Sequence, residues 1–352
     1  MNTISKMKYR EALAMAMAEA MEDPRTLLIG QGVTDFKGIW GTTTGLAQKF
    51  PKRVIETPLS EDGVAGICIG ASLNGMYPIN THIRADFGLL IFNQLINLAA
   101  KYRYMFGGLF EIPMLFRMVI GRSWGQGAQH SQSFQSLLGH IPGLVVLMPS
   151  NPQSIIQSYR HARKNHKGPV VMFEHRLMYE LEFEDKPNQD LLNLFGSRID
   201  REGDHLTIVA TSVMVLEAAR AADYLSQYGI NAEIIDLHSI SHPDHDLIFN
   251  SVKKTGRLLV ADTSWLPYGV AAEMSRVIAE RDPSILKRPI KSLGMQSAPC
   301  PTAKTLEDLY YPDVCDIVSA SASLVKGREN HNIPLPPKQA MTDFYKHFKG
   351  PF

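Results

Sequence analysis

The sequence contains little cysteine, almost no net charge and no long apolar segment, and each shortage excludes a class of protein. Its 352 residues include three cysteines, Cys68, Cys300 and Cys315. This odd and widely spaced set indicates neither a disulfide framework nor a cysteine zinc site, and it favours a reducing, cytoplasmic setting. The 36 Lys and Arg residues nearly balance 35 Asp and Glu residues, for a formal net charge of +1. Such a balance creates no general field that would attract nucleic acid or an acidic membrane surface.

The apolar segments are too short to cross a membrane, because a membrane helix needs about 18 consecutive apolar residues. The best candidate, residues 88–100, is interrupted by Asn93, Gln94 and Asn97. The first residues also lack the charged and then apolar pattern of a signal peptide. We therefore expect neither a membrane nor a nucleic acid among the partners of this chain.

Helix and strand patterns alternate along most of the chain. Residues 8–21 carry apolar side chains at helical spacing, 27–29 form a short buried strand, and similar pairs continue to about residue 173. A polar stretch near 179–204 interrupts the pattern, and a second alternating series follows. At about 150 residues per domain, the length predicts two domains. Two successive series predict two α/β domains with mainly parallel sheets.

Two of the predicted helices have unusual compositions. Residues 88–103 are apolar on nearly every side, which predicts one buried helix. Residues 62–74 include Gly63, Gly66 and Gly70. Because a glycine inside a helix costs about 1 kcal/mol relative to alanine, this face of small residues predicts that another helix packs very close to it.

Two glycine motifs and one histidine-rich stretch have the appearance of binding sites. The motifs at 30–32 and 125–127 lack the third glycine of a dinucleotide-binding fingerprint, since Asp35 and His130 stand in its place. The stretch 238–245 holds three histidines but also a proline. There we favour a solvated loop and a helix capped by Asp244 or Asp246 over a metal site.

Glu61 and His130 are candidates for chemistry that the residues alone leave open. Glu61 follows Ser60, a predicted helix N-cap, where a carboxylate stabilises the helix dipole by roughly 0.3–1 kcal/mol. That interpretation is simpler than a carboxylate facing a cofactor. His130 follows a glycine-rich loop at the end of a strand, where catalytic and structural histidines are equally at home.

Six short segments of the sequence together resemble a known protein family. They occur in order between about residues 8 and 312: TPLSEDGVAG at 57–66, ADF at 85–87, NQLINLAAK at 93–101, AQHSQ at 128–132, GHIPG at 139–143 and FEHRLMY at 173–179. Together they resemble the β subunit of the thiamine-diphosphate-dependent 2-oxo acid dehydrogenases, of the pyruvate and branched-chain type within the transketolase-like superfamily.

The resemblance implies a domain order and an assembly. Residues 1–190 would form the pyrimidine-binding thiamine-diphosphate fold, and 191–330 a smaller transketolase C-terminal-type α/β domain that serves assembly. Residues 331–352 would be a C-terminal extension. The assembly implied is a heterotetramer of two α and two β subunits, with two cofactors at the interfaces between α and β.

The resemblance also assigns residues to the cofactor. Glu61 matches the glutamate that hydrogen-bonds the aminopyrimidine of thiamine diphosphate and helps to activate the thiazolium. Phe87 matches the aromatic side chain that packs on the pyrimidine, and Leu59 and Ile83 match its apolar neighbours. His130 matches the histidine that stabilises or protonates the oxygen of the 2-oxo acid.

The metal of the family is expected on another chain. The family's diphosphate and Mg²⁺ motif, G-D-G followed by paired asparagines, is missing here. In two-subunit members it belongs to the α subunit, so we expect no metal site in this chain. Some relatives bind a monovalent cation at the segment that matches 162–169, and a cation near Ala162 is left open.

Departures from the family pattern bear on the substrate. His82, Arg84, Arg122 and Trp124 stand where the pyruvate enzymes usually carry other residues, which predicts a polar or anionic 2-oxo acid larger than pyruvate. Gln31 with Gly32 replaces an acidic pair implicated in communication between the two sites. The extension after residue 326 leaves docking of a lipoyl-bearing acyltransferase uncertain.

The sequence thus predicts a β subunit of an enzyme that oxidatively decarboxylates a small 2-oxo acid and transfers the acyl group to lipoamide, together with an α subunit. An acyloin-forming or transketolase-like carboligase without a lipoyl carrier is the first alternative. A non-catalytic scaffold is the second, and the joint presence of Glu61, Phe87 and His130 argues against it.

Overall fold

Parallel strands and the helices between them organise the chain into two units. The computed structural model describes residues 6–35, 37–122, 125–184, 194–327, 332–338 and 343–347. The first unit takes in the described residues of 1–122 and 129–194, and the second those of 123–128 and 195–349. The domain limits at 190/191 and 330/331 stay predictions, because residues 185–193 and 328–331 lie outside the described part.

The first unit is built on a six-stranded sheet. Its strands, with the two short ones that flank the unit, are β1 Lys6–Lys8, β2 Thr26–Gly30, β3 Val54–Glu56, β4 Tyr77–His82, β5 Met114–Ile120, β6 Val145–Leu147, β7 Pro169–His175 and β8 Glu182–Glu184. The order is β3-β2-β4-β5-β7-β6 with every neighbouring pair parallel, while β1 and β8 form a separate antiparallel pair.

The helices of the first unit connect and cover these strands. They are α1 Tyr9–Glu22, α2 Gly38–Gly41, α3 Leu46–Lys49, α4 Glu61–Leu73, α5 Tyr102–Met105, α6 Gln135–Gly139 and α7 Pro152–Asn165. Two 3₁₀ turns, Ala85–Ile91 and Arg176–Met178, and a π-helix, Asn93–Ala99, complete the set. Helix α7 begins where the sequence indicates, because Asn151 accepts a hydrogen bond from the Ser154 amide and Pro152 occupies the first turn.

The second unit repeats the architecture around a five-stranded sheet. Its elements are β9 Arg198–Arg201, β10 Leu206–Ala210, α8 Val213–Ser226, β11 Ala232–Asp236, α9 His245–Thr255, β12 Leu258–Trp265, α10 Val270–Arg281, a 3₁₀ turn Pro283–Ile285, β13 Lys291–Met295, α11 Lys304–Glu307 and α12 Val314–Lys326. The order is β13-β12-β10-β11-β9, and β9 alone runs antiparallel to its neighbour. The prediction of α/β units with mainly parallel sheets is confirmed.

A buried ion pair crosses the core of the first unit. Arg117 on β5 donates through Nε and Nη2 to the two carboxylate oxygens of Glu174 on β7, at 2.7 and 2.8 Å. The hydroxyls of Tyr159 and Tyr179 each donate to the same carboxylate at 3.0 Å. Because both charged side chains are fully buried, these bonds are what makes the pair tolerable in the core.

The structure corrects one prediction about a helix and provides no neighbour from the described part of this chain for a second. Residues 88–103 do not form one buried helix: the segment is divided among a 3₁₀ turn, a π-helix and the short α5, and Leu90 is 58% exposed. An apolar composition on all sides did not specify which side faces the core. On α4, a Cβ added to Gly66 or Gly70 would meet nothing within 4 Å, and Ile67 is 66% exposed. In the described part of this chain, no helix packs on that face.

The C-terminal extension contacts the second unit where it is described. The Tyr224 hydroxyl on α8 donates to the carbonyl of Pro334 at 2.9 Å. The guanidinium of Arg220, one turn earlier, lies 4.0 Å from the centre of the Phe344 ring. Residues 332–338 and 343–347 thus lie against α8. Among the described residues, no helix combines the length and the apolar character that spanning a bilayer requires.

Candidate active site

A cleft opens in the first unit at the carboxyl ends of β2, β3 and β4. Parallel strands place the residues that follow them at one edge of the sheet, where ligands commonly bind. The cleft has an open volume of about 310 Å³ and is lined by Gly30 and Gln31, Thr57 and Pro58, residues 80–84, and Glu61, Val64 and Phe87. Gly30 is required there, because a Cβ would stand 2.4 Å from the carbonyl oxygen of Thr81 on β4.

Glu61 reaches this cleft as the first residue of α4. Its Oε1 accepts a hydrogen bond from Gln31 Nε2 at 3.3 Å. The loop that carries Gln31 is held by Glu56, whose carboxylate accepts from the Gly32 amide at 2.5 Å and the Thr34 amide at 3.0 Å. Ser60 occupies the N-cap position without a side-chain capping bond. The position of Glu61 is therefore set by the helix start and by a loop that Glu56 holds.

His82 forms a neutral part of the wall. Its ring Nε2 lies 2.9 Å from Asn80 Oδ1, so the tautomer that donates carries its proton on Nε2. Complete burial lowers the pKa of His82 to about 4. At neutral pH the histidine is a hydrogen-bonding group without charge.

Phe87 and His130 meet at one side of the cleft. Their ring centroids are 5.4 Å apart and the rings stand edge to face at 84°. Next to them, Asp86 Oδ1 accepts from the amide of Gln132 at 3.1 Å and from its Nε2 at 3.0 Å. Burial raises the pKa of Asp86, while the bonds from Gln132 and the nearby His130 oppose the rise. Asp86 thereby fastens the segment that contains His130 beside Phe87.

The other predicted site residues are distributed unevenly. Ile83 and Arg84 line the cleft, whereas Leu59 precedes α4 with 83% of its side chain exposed. Arg122 follows β5, close enough to His175 to lower the pKa of that buried histidine. Trp124 lies outside the described residues.

The sequence analysis does not assign Asp86 or Gln31 to the site, although both form hydrogen bonds there. Asp86 belongs to the ADF segment that carried the resemblance, so its neighbour Phe87 was a signal that could have found it. Gln31 was noted as a departure from the family, and the structure adds its hydrogen bond to Glu61.

The structure supports no metal site at the remaining candidate positions among the described residues. The described residues include no group of three or more His, Cys, Asp or Glu side chains that could hold a metal ion. Asp244 caps α9 by accepting from the Leu247 amide at 2.9 Å, as the sequence predicts. His238, however, is buried, so the prediction of a fully solvated stretch was wrong there. Ala162 is buried within α7, and a cation near it stays a prediction.

Comparison with known proteins defines the class to which this fold and cleft belong. Residues 5–182 match the family model of the transketolase pyrimidine-binding domain, and 196–317 match that of the transketolase C-terminal domain. A solved structure, a split-gene transketolase described as an inactive β4 tetramer, superposes with a TM-score of 0.75 at 21% identity, covering 91% of this chain and 98% of that one. The class is that of transketolase-like proteins.

More similar relatives narrow the assignment. The β subunit of acetoin:2,6-dichlorophenolindophenol oxidoreductase from Cupriavidus necator is 35% identical over 336 residues, covering 92% of this chain and 97% of the relative. The mitochondrial β subunit of the pyruvate dehydrogenase E1 component from Mus musculus is 38% identical over 322 residues, covering 90% and 89%. The chain belongs to this family of β subunits of thiamine-diphosphate-dependent dehydrogenases, and the predicted resemblance is confirmed.

Proposed function

We propose that this chain works with a separate α subunit to decarboxylate a 2-oxo acid oxidatively, with thiamine diphosphate as cofactor and lipoamide as acceptor. The observation that carries the proposal is the meeting of Glu61, Phe87 and, in contact with Phe87, His130 at one cleft of the first unit. The overall reaction releases CO₂ and transfers the acyl group to a lipoyl sulfur, whose disulfide is reduced as the acyl group is oxidised.

The cleft fits the pyrimidine half of the cofactor. An aminopyrimidine needs a carboxylate for a ring nitrogen, an aromatic face and aliphatic neighbours. Glu61 offers the carboxylate, Phe87 offers a ring that is 37% exposed, and Ile83 and Val64 offer aliphatic surface. When bound, thiamine diphosphate supplies the thiazolium carbon that takes up the carbonyl of the 2-oxo acid and the electron pair left by CO₂.

Each residue then has a role of its own. Glu61 holds a proton shared with the pyrimidine nitrogen, and Gln31 keeps its carboxylate oriented. His130 holds or transfers a proton at the oxygen of the 2-oxo acid. Asp86 fixes the segment of His130 through Gln132. Leu59 contributes apolar surface when α binds.

Exposed apolar surface supports a partner subunit. Leu59 and Ile67 flank the bare glycine face of α4, and Tyr104 and Leu109, which are 89% and 77% exposed, lie in the segment after the π-helix. Apolar surface of this extent is typical of interaction faces. We infer an α₂β₂ heterotetramer in which α binds the diphosphate and Mg²⁺, and in which the second unit serves assembly. Docking of a lipoyl-bearing acyltransferase and a cytoplasmic location both stay predictions, since several relatives are mitochondrial.

One observation favours a second candidate function. The relative from Cupriavidus necator is named for acetoin, an acyloin, instead of an oxo acid. A carboligase or acyloin-cleaving enzyme would use the same cofactor and the same cleft. The two functions differ in the acceptor: lipoamide becomes reduced in the first, and a carbon–carbon bond is made or broken in the second.

Replacement of Glu61 tests the proposal. In the assembled α–β enzyme, Glu61→Gln should lower kcat for oxo acid decarboxylation by about 10²- to 10⁴-fold, because the proton at the pyrimidine can no longer be shared. Asp62→Asn is the matched control: it removes a carboxylate one residue away, exposed and bonded to its neighbour Gly63 at 2.8 Å. If Glu61→Gln retained most of the activity, the catalytic role would be wrong and the scaffold alternative would gain support.

A further inference from the structure

Arginines gather at the edge of the sheet where the cleft opens. In the first unit, His82 pairs with Met118 across β4 and β5, and Ile120 pairs with His175 across β5 and β7. Three neighbouring strands therefore end side by side. The residues that follow them are Ile83 and Arg84 after β4, Gly121 and Arg122 after β5, and Arg176 after β7.

The residues after β5 and β7 contact each other. Arg176 Nη2 donates to the carbonyl of Gly121 at 2.7 Å. A Cβ on Gly121 would stand 2.8 Å from Arg176 Cγ and 3.2 Å from His175 Cε1. Burial, and then the charges of Arg122 and Arg176, lower the pKa of His175 well below its usual value. At neutral pH the positive charge of this edge is therefore carried by the arginines, while His82 and His175 stay neutral.

Arg84 is the member of this group that lines the cleft. It is 8% exposed, and its guanidinium carbon lies 5.7 Å over the ring of Trp40. Its Nη1 donates to the carbonyl of Ile83 at 3.3 Å, and its Nε has no hydrogen-bond partner among the described residues. A buried guanidinium with an unsatisfied donor is costly unless an anion completes it.

The carboxylate that interacts electrostatically with Arg84 already accepts hydrogen bonds from another residue. Asp86 interacts electrostatically with Arg84. Its Oδ1, however, accepts both hydrogen bonds from Gln132. Glu174, a second buried carboxylate among the described residues of this unit, accepts from Arg117. The donors of Arg84 thus remain suited to a ligand that carries negative charge.

We propose that Arg84, with Arg122 and Arg176 at the ends of the neighbouring strands, recognises a second carboxylate on the 2-oxo acid, so that the substrate class is the 2-oxo dicarboxylates. The inference rests on the proposed function, in which His130 acts at the oxygen of the 2-oxo acid. Asp86 interacts electrostatically with both Arg84 and His130, so the two side chains lie on the same side of the cleft. A guanidinium holds a carboxylate through two parallel hydrogen bonds. An aliphatic oxo acid would leave Arg84 buried beside apolar atoms, and a site built in this way rejects such an analogue.

A matched pair of substrates tests the proposal in the assembled α–β enzyme. 2-Oxoglutarate and 2-oxopentanoate have the same number of carbons and differ in the terminal carboxylate. The wild type should prefer 2-oxoglutarate in kcat/KM. Arg84→Met should lower kcat/KM for 2-oxoglutarate by about 10- to 100-fold, the usual effect of losing hydrogen bonds to a charged group. The same change should leave 2-oxopentanoate within about threefold of its wild-type value.

Control variants separate recognition from folding. Arg25→Met removes an equal charge from an arginine that is 65% exposed and paired with Asp23, and both substrates should be unaffected. Arg84→Lys keeps the charge but loses the planar pair of donors, and should fall between the wild type and Arg84→Met for 2-oxoglutarate. Calorimetric titration of 2-oxoglutarate into the assembly loaded with an unreactive thiazolone analogue of the cofactor measures binding without turnover.

The outcomes distinguish this proposal from the one it rests on. If pyruvate or 2-oxopentanoate is decarboxylated and 2-oxoglutarate is not preferred, the specificity is wrong and the proposed function stands. If Arg84→Met affects a phosphorylated aldehyde acceptor instead, the arginines serve the acceptor and the proposal is overturned. If no oxo acid reacts, the proposed function fails, while loss of 2-oxoglutarate binding in Arg84→Met would still support the anion site.

Discussion

The carboxyl edges of the two parallel sheets differ in how their charged side chains are engaged. In the second unit, Asp262 accepts from Thr211 Oγ1 at 2.5 Å and from Ser264. Asp236 accepts from the His238 amide at 3.1 Å and pairs with Arg198 at 3.0 Å. The buried carboxylates of that edge are thus engaged by side chains and backbone of the same unit.

The equivalent edge of the first unit keeps donors and acceptors for something else. Glu61 has a 3.3 Å bond to Gln31, and Arg84 Nε has no partner among the described residues. Glu61 and Arg84 both line an open cleft, and they do not form a closed hydrogen-bond network with each other. The comparison teaches that the same α/β architecture can pair the charged groups at this edge within the unit, as it does for Asp236, or leave a charged group such as Arg84 beside an open cleft.

The largest effect is expected at the buried ion pair of the first unit. Arg117→Met leaves the fully buried carboxylate of Glu174 without its counter-charge. Removal of one partner of a buried pair should lower the free energy of unfolding by about 3–5 kcal/mol. Urea unfolding of the chain measures the loss. In the second unit, Arg276→Met breaks an exposed pair with Glu273 and should change little. Equal losses of unfolding free energy in the two variants would show that the buried pair stabilises the chain no more than the exposed pair does.

Acid should weaken both units through buried histidines, His82 and His175 in the first and His238 in the second. Burial lowers the pKa of His82 to about 4 in the first unit and that of His238 to about 3 in the second. Their unfolded values lie near 6.5. Between these pKa values the unfolded chain binds more protons than the folded chain. The contribution of each histidine to the free energy of unfolding is therefore complete above about pH 6.5 and falls as the pH is lowered.

Variants of these histidines measure that dependence. His82→Asn should flatten the fall between pH 6.5 and 4 by up to about 3 kcal/mol, which is the pKa difference expressed as free energy. His238→Asn should act similarly in the second unit. His140→Asn, at an exposed histidine of the same unit, is the control for the substitution itself. An unchanged slope in His82→Asn would mean that folding does not lower the pKa of this histidine.

Much of the fold could be predicted because local and periodic signals agreed. Helix α1 was expected at 8–21 and spans Tyr9–Glu22, since its alanine, leucine and methionine residues recur at helical spacing and Asp23 with Pro24 follows. The strands of both sheets are short apolar segments between loops. The segment 88–103 was predicted wrongly, because uniform apolarity fixes neither the helix type nor the buried side.

The site was less predictable, since its residues come from separate elements. Glu61 was found only by resemblance; its own neighbours indicated a helix-stabilising carboxylate. The contacts Gln31–Glu61 and Asp86–Gln132 join residues 30 and 46 positions apart. A local sequence pattern cannot predict contacts between residues this far apart in the chain. The glycine face of α4 predicts a close neighbour, and in the described chain nothing lies within 4 Å of a Cβ built at Gly66 or Gly70.

The smallest effect concerns two helix caps, one in each unit. Asn151 Oδ1 accepts from the Ser154 amide at 3.0 Å at the start of α7. Asp313 Oδ1 accepts from the amides of Cys315 and Asp316 at 2.7 and 3.2 Å at the start of α12. Replacement of either cap by alanine should lower the free energy of unfolding by about 0.5–2 kcal/mol.

Asp313→Ala should be the more damaging of the two, because Asp313 satisfies two amides and places a negative charge at the positive end of the helix dipole. Thermal unfolding of both variants in low and high salt gives the measurement. The excess loss of Asp313→Ala should shrink in high salt, where the dipole is screened, while Asn151→Ala should not respond. If Asn151→Ala were the more damaging, neither the number of capped amides nor the charge of the cap would decide how much a cap stabilises its helix.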